Sequence, residues 1–213
     1  MARNINDIYN FYRDLVRKER GVFITIPQFN SYMDVGQLDA LNEYFQSYAE
    51  NQTIHDALRP FRVYYQFTSA SDGTVTFPSD YIHMIGPAFT VTGSTLNEIT
   101  PANEDEWVGV VRSQLRPVST SAPISRQIDG GFVIVPQTTQ TGFFSYLRRP
   151  DTPFLAVTQV GRTVTYDAAG STQLEWTDNY INNIIAKALR YASVYMDEKG
   201  VLDFANQYNQ ETK

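Results

Sequence analysis

Cysteine is absent from all 213 residues, so disulfides, thiolate nucleophiles and zinc–thiolate sites are excluded and the fold has to hold by packing alone. Histidine occurs only at His55 and His83, neither with a second histidine or a carboxylate at i+3 or i+4 in a metal-ligand pattern, so both are read as structural. No run approaches the ~18 apolar residues of a membrane span, and the N-terminal MARNINDIYNFY lacks the apolar core of a signal peptide. A soluble protein not exported by that route is expected. The chain also has no GxSxG elbow, phosphate-cradling glycine loop or dinucleotide fingerprint, and Gly130-Gly131 falls where a hairpin needs positive φ. Glu104, Asp105 and Glu106 are acidic in a row, but consecutive residues project in different directions and the positive end of a short helix accounts for them without catalysis. Neither enzymatic activity nor a cofactor is expected. Seventeen basic against 23 acidic residues give a net charge of −6, which argues against a surface that wraps nucleic acid throughout.

What the chain does have is aromatic side chains, mostly 14 Tyr and 13 Phe, a composition suited to surfaces buried in partners. It also has one strongly periodic stretch, Leu174 to Met196. There Tyr180, Ile184, Ala188, Ala192 and Met196 form one i, i+4 row, with Ile181, Ile185 and Leu189 beside it. Thr177 is the expected N-cap, Asp178 suits the positive end of the dipole, Trp176 is placed to staple onto Ile181, and Gly200 ends the helix. Lys187, Arg190, Asn182 and Asn183 are assigned to the opposite, polar face, so Lys187→Asp is expected to be mild where Ile184→Asp is severe.

At the N-terminus Ile5, Ile8, Tyr12, Leu15 and Val16 predict a helix from Asn4 to Arg20 with Asn4 as its cap. A short extended piece, Val22 to Ile26, precedes a new start at Thr25 or Ile26 with Pro27 in the first turn. Phe29, Met33, Leu38, Leu41, Phe45 and Tyr48 carry this second helix to about Ala49, with Gly36 as a break, and Thr53 to Leu58 forms a third helix stopped by Pro60. The period then changes to two. Arg62 to Ser69 and TVTF, joined at Ser71-Asp72-Gly73, read as a hairpin. Tyr81 to Val91 reads as a strand that is an edge or is bulged at Gly86-Pro87. A short helix lies within Thr100 to Leu115, and Arg116 to Ile128 has no period and is expected to be a long arm. FVIVP and Thr141 to Pro150 pair as antiparallel strands, DTPFLAV leaves them, and Arg162 to Tyr166 is a weak strand. The expectation is an α+β protein, one structural unit in which 1–60 and 174–213 are helical and pack together around an inserted, largely antiparallel β module at 61–173. The tail from Val201 to Lys213 sets Leu202, Phe204 and Tyr208 among polar residues, too short for a core of its own, so it folds back or docks on a neighbour. Arg148 and Arg149 in YLRRP, with Arg112, Arg116 and Arg126, are candidates for a local positive patch, although solvated strand ends explain the pair as well.

Several phrases, taken in order, resemble structural proteins of tailed phages, in particular crAss-like and related Bacteroidetes phages. They are GVFITIPQFNSYMDVGQLDALNEYF (21–45), TVTFPSDYIHM (74–84), SYLRRPDTP (145–153), and the closing Glu175-Trp176, long helix, Gly200-Val201 and Phe204-Ala205. The resemblance implies a virion neck component assembled in the host cytoplasm: a head-to-tail connector, one subunit of a homo-oligomeric ring, a dodecamer, stacked below the portal. Its implied partners are further copies of itself, the portal protein and other neck or tail rings. Packaged DNA would pass through the lumen without sequence-specific binding, and no membrane is involved. Under this reading Leu202, Phe204 and Tyr208 bind on the portal side, and Arg116, Arg126, Arg148 and Arg149 are interface or lumen charges. No catalytic residue is implied. The alternative is a carbohydrate-binding or adhesion module that stacks sugars on sheet aromatics such as Tyr64 and Tyr65.

Overall fold

The computed structural model describes residues 3–20, 24–48, 52–115 and 117–196, with the side chains of 17–20 and 194–196 outside the description. In chain order the elements are α1 (Ile5–Arg20), α2 (Ile26–Gln46), α3 (Gln52–Leu58), β1 (Arg62–Thr68), β2 (Thr74–Thr76), β3 (Tyr81–Thr92), β4 (Thr95–Pro101), α4 (Trp107–Val111), β5 (Ile124–Ile128), β6 (Gly131–Val135), β7 (Thr141–Arg148), β8 (Phe154–Val160), β9 (Thr163–Thr172) and α5 (Asp178–Met196). The protein is α+β, with a large, mostly antiparallel sheet. Where one unit is expected from the sequence, contacts divide the chain into two: Met1–Pro60 with Pro150–Lys213, and Phe61–Arg149. The β8–β9 pair belongs with the helices, not with the other strands.

The helical unit is assembled by local signals that the sequence states openly. Asn4 caps α1, its Oδ1 accepting from Asn6 N at 2.9 Å, and the buried face is Ile5, Ile8, Tyr12 and Val16. Thr25 sits in extended backbone before α2 and closes a capping box with Gln28, with Pro27 in the first turn. Gly36 does not break α2. It lies where α2 crosses α5, and a Cβ there would stand 3.0 Å from Ile184 O and 3.1 Å from Ala188 N, so the missing side chain sets how closely the two backbones approach. The buried stripe of α2 is accordingly Phe29, Met33, Gly36, Gln37, Ala40 and Leu41, while Leu38 and Phe45 are only half-buried. Tyr12 reaches across from α1 to donate its hydroxyl to Ala188 O at 3.1 Å, and its ring meets Phe29 edge-on at 5.5 Å.

Half of the polar face assigned to α5 is buried. Ile181, Ile184, Ile185, Ala188, Leu189 and Ala192 are fully buried as expected, but Asn183 and Lys187 are 5 % exposed. Lys187 Nζ lies 2.6 Å from Glu43 Oε2 and 3.9 Å from Asp39 Oδ2, and Asn183 Nδ2 donates to the Tyr44 hydroxyl at 2.8 Å, so the polar groups are buried against α2 in pairs. Arg190 is exposed, and the helix end assigned to Gly200 lies outside the described residues.

The second unit is a rolled sheet of order β1-β7-β3-β4-β5-β6-β2. Its terminal strands β1 and β2 are joined by residues 69–73, a link that spans at most about 20 Å, whereas the edges of a flat sheet of seven strands lie about 29 Å apart. The sheet must therefore curl, and Phe67 of β1 accordingly meets Phe132 of β6 at 5.7 Å across the interior. The core inside the roll is Phe67, Val75, Ala88, Ile99, Phe132, Ile134, Phe144 and Tyr146. Phe144 lies among the rings of Tyr65, Phe67, Phe77, Tyr81, Phe132 and Tyr146. The pairings correct three sequence expectations. β1 and β2 are not a hairpin, because β1 pairs with β7 and β2 with β6. β6 and β7 are not partners either, since β7 lies between β1 and β3. The 116–128 stretch is not all arm, for Ile124–Ile128 is strand β5, antiparallel to β6 and parallel to β4. The break at Gly86-Pro87 is a bulge inside β3, which is not an edge strand.

Candidate functional site

Of the residues assigned to portal binding, Leu202, Phe204 and Tyr208 lie outside the described residues, as does Arg116. Arg126 lies on β5, and Arg148 and Arg149 lie at the end of β7. Arg126 on β5 donates to Glu104 Oε1 at 3.3 Å and lies over the Trp107 ring at 5.1 Å. Arg148 on β7 lies over the Phe61 ring at 5.8 Å and donates to the Arg149 carbonyl, and Arg149 is exposed beyond the strand end. Beside Arg126 an opening of about 430 Å³ leads onto Phe77, Tyr81, Met84, Ile99 and Phe132, an aromatic floor whose rim charges Glu104 and Arg126 neutralise each other.

Tyr64 and Tyr65, adjacent on a strand, point to opposite faces. Tyr65 packs inward on Phe144 at 5.4 Å, and Tyr64 points outward, 57 % exposed, against Phe143 at 5.0 Å, which in turn stacks on Phe89 at 5.4 Å. The outer rings thus form a row with Phe143 between Tyr64 and Phe89. His55 packs on Tyr48 with centroids 4.1 Å apart, and burial holds the His83 imidazole below its usual pKa. No group of three or more His, Asp or Glu among the described residues could hold a metal ion, and no helix among them is long and apolar enough to cross a membrane.

No family model matches the chain, and no curated protein matches it. The site has to be read from geometry.

Sequence reasoning found part of β9, as the weak strand Arg162 to Tyr166, but missed β8 and the ribbon the two form. Its base is fixed: Leu155 N donates to Asn30 Oδ1 at 2.9 Å and Asn30 Nδ2 donates to Leu155 O at 3.4 Å, so one side chain of α2 does what a neighbouring strand would do. Ala156 N donates to Ser171 Oγ at 2.9 Å, and the Asp167 carboxylate accepts from Ala169 N and Gly170 N, absorbing the bulge in β9. Beyond that base the ribbon has no third strand and no core among the described residues. Val157 faces the same side as Tyr166 and Val164, while Thr158, Thr165, Val160 and Thr163 face the other, and all but Tyr166 are exposed. Val160 is 78 % exposed, Val164 56 % and Phe154 50 %. A two-stranded ribbon bare on both faces is marginal by itself, and its open edges carry unpaired backbone groups. A sequence signal was present in Gly161-Arg162, a two-residue turn with Gly161 at φ 62 between β-branched runs.

Proposed function

We propose that the chain is a structural subunit of a homo-oligomeric ring in the neck of a tailed phage, joining portal and head to tail. The observation that carries this reading is the β8–β9 ribbon, which is held rigidly at its base yet leaves valines on both faces to solvent. Apolar surface of this kind on an edge-bearing element is characteristic of a surface that another chain covers. The ordered resemblance of the sequence phrases to phage neck proteins gives the assembly its setting. Tyr65 is turned inward onto Phe144 while Tyr64 faces out, so the two rings offer no common stacking platform, which favours this reading over carbohydrate binding.

Electron microscopy of the purified protein, alone and with portal, tests the proposal. Closed rings with a central hole are expected, and particles that stay monomeric in both preparations would refute it. Removing Val201 to Lys213, which carries Leu202, Phe204 and Tyr208, is expected to abolish portal binding, and retained binding would take that segment out of the interface.

A further inference from the structure

We infer that the tip of the β8–β9 ribbon of one copy seats on the acidic corner before α4 of a second copy, so that the contact between subunits is head-to-tail. The inference rests on the ring-subunit reading and names the contact that would build it.

The tip is Val160-Gly161-Arg162-Thr163-Val164, a cation between two exposed valines. Arg162 is the only ionised side chain between residues 152 and 166, it is exposed, and it has no ion pair among the described residues, in a chain of net charge −6. Exposed strand edges in natural proteins are normally guarded by several charges or a proline, and β8 and β9 have neither beyond Asp167, whose carboxylate is used in its own turn. An element of this kind is covered in its working state. Its single positive charge, against the surplus of acid elsewhere in the chain, selects a second copy as the occupant.

The complementary surface is found in Phe61–Arg149. Glu104, Asp105 and Glu106 form the only run of three acids in the sequence, all exposed, and Val108 one residue beyond Trp107 is itself 57 % exposed. Glu104 is taken by Arg126 at 3.3 Å, whereas Asp105 and Glu106 have no ion pair among the described residues. Two unpaired carboxylates beside an exposed valine match one unpaired guanidinium flanked by valines, in charge sign and in apolar surround. Because tip and corner are different surfaces of the chain, the contact is heterologous. Repeated copy to copy it closes into a ring or runs on as a filament, which a self-complementary two-fold contact would not do.

The experiment uses full-length chains carrying Arg162→Glu, Asp105→Lys with Glu106→Lys, or all three substitutions, with circular dichroism to verify that each folds. The residues are exposed, so folding is expected to be unaffected. Assembly is read by analytical ultracentrifugation and microscopy under the conditions in which the unmodified chain forms rings, with portal where portal is needed. Each charge reversal alone is expected to weaken assembly at least about tenfold, and the combined variant to recover it. Rings that form undiminished with Arg162→Glu, or a combined variant that stays as weak as the single reversals, would overturn this contact and leave the ring reading standing. An unmodified chain that never assembles overturns both. The absence of native cysteine allows a second readout: chains with Arg162→Cys mixed with chains with Glu106→Cys should cross-link to each other in preference to themselves, and equal self-cross-linking counts against the head-to-tail arrangement.

Discussion

Replacing Lys187 separates two views of α5, because on a polar outer face it would be nearly neutral and in the observed packing it is not. The side chain is 6 % exposed, with Nζ 2.6 Å from Glu43 Oε2 and 3.9 Å from Asp39 Oδ2, and Asp39 Oδ2 also accepts from the Tyr191 hydroxyl at 3.1 Å. Breaking a fully buried pair costs about 3–5 kcal/mol. Here Glu43 and Asp39 retain 35 % and 46 % of their side-chain exposure, so they rehydrate once the amine is gone and the loss is smaller. Lys187→Met, which keeps the apolar stem, is expected to cost about 1–2 kcal/mol. Lys187→Asp removes three methylenes at roughly 0.8 kcal/mol each and sets a third carboxylate in a dry position beside two others, so its cost should be at least about 5 kcal/mol. That is comparable to the whole stability of a typical domain.

The assay is urea unfolding followed by Trp176 fluorescence in a Trp107→Phe background, where the buried Trp176 reports the helical unit alone. Lys187→Glu combined with Glu43→Lys restores the pair with its sign reversed and should recover most of the loss of Lys187→Glu. If Lys187→Asp unfolds within about 1 kcal/mol of the parent, or the exchanged pair recovers nothing, the α2–α5 contact is not held as described.

Ile184→Asp, at a position with no exposure, should cost several kcal/mol and abolish the Trp176 transition, and a native-like transition would show the buried face to be misassigned. Gly142→Val should collapse the rolled sheet while leaving the Trp176 transition in place, because a side chain at 142 would drive into the Phe67 ring and the Phe89 carbonyl; a fully folded variant by near-ultraviolet dichroism of the sheet aromatics would refute the packing. Tyr146 is buried and donates to Asp80 Oδ1 at 2.8 Å, and burial first, then the Asp80 carboxylate, push its hydroxyl up to about 12. The unfolded chain therefore ionises first, so this contribution is intact below pH about 10 and is lost as pH rises toward 12. Base titration of stability should show that slope, and Tyr146→Phe should flatten it.

What was legible in the sequence was what local geometry decides. The spacing of Ile5, Ile8 and Tyr12, the Thr25-Pro27 start and the Ile181–Leu189 rows each refer to residues within a turn or two, and α1, α2 and α5 stand where they predict. Strand partnership is settled elsewhere in the chain. The Ser71-Asp72-Gly73 turn invites a hairpin, and Asp72 Oδ1 indeed accepts from Thr74 N, but Phe67 pairs with Gly142 and Val75 with Phe132 because rolling the sheet buries both against Phe144. The polar face of α5 failed for a related reason. The Lys187 ammonium and Asn183 Nδ2 meet Glu43 and the Tyr44 hydroxyl, from another helix, in the interior, and no pattern within α5 can register a partner about 140 residues away.

Of the ribbon only the weak strand Arg162 to Tyr166 was expected and its partner β8 was not, for the opposite reason: no described residue covers the pair beyond its base. Amphipathic reading finds strands by one face being apolar and the other polar, a contrast that arises only when one face is buried. From Val157 to Val164 one face carries Val157, Gln159 and Val164 and the other Thr158, Val160 and Thr163, and both are exposed in the described structure, so the apolar-against-polar contrast that betrays β6 or β7 is weak here. Selection on such a stretch can act through backbone propensity, the turn at Gly161 and whatever lies against it. Its β-branched residues satisfy the first and Gly161 the second, which leaves Arg162 and the two flanking valines as the part of the ribbon that its fold alone does not explain.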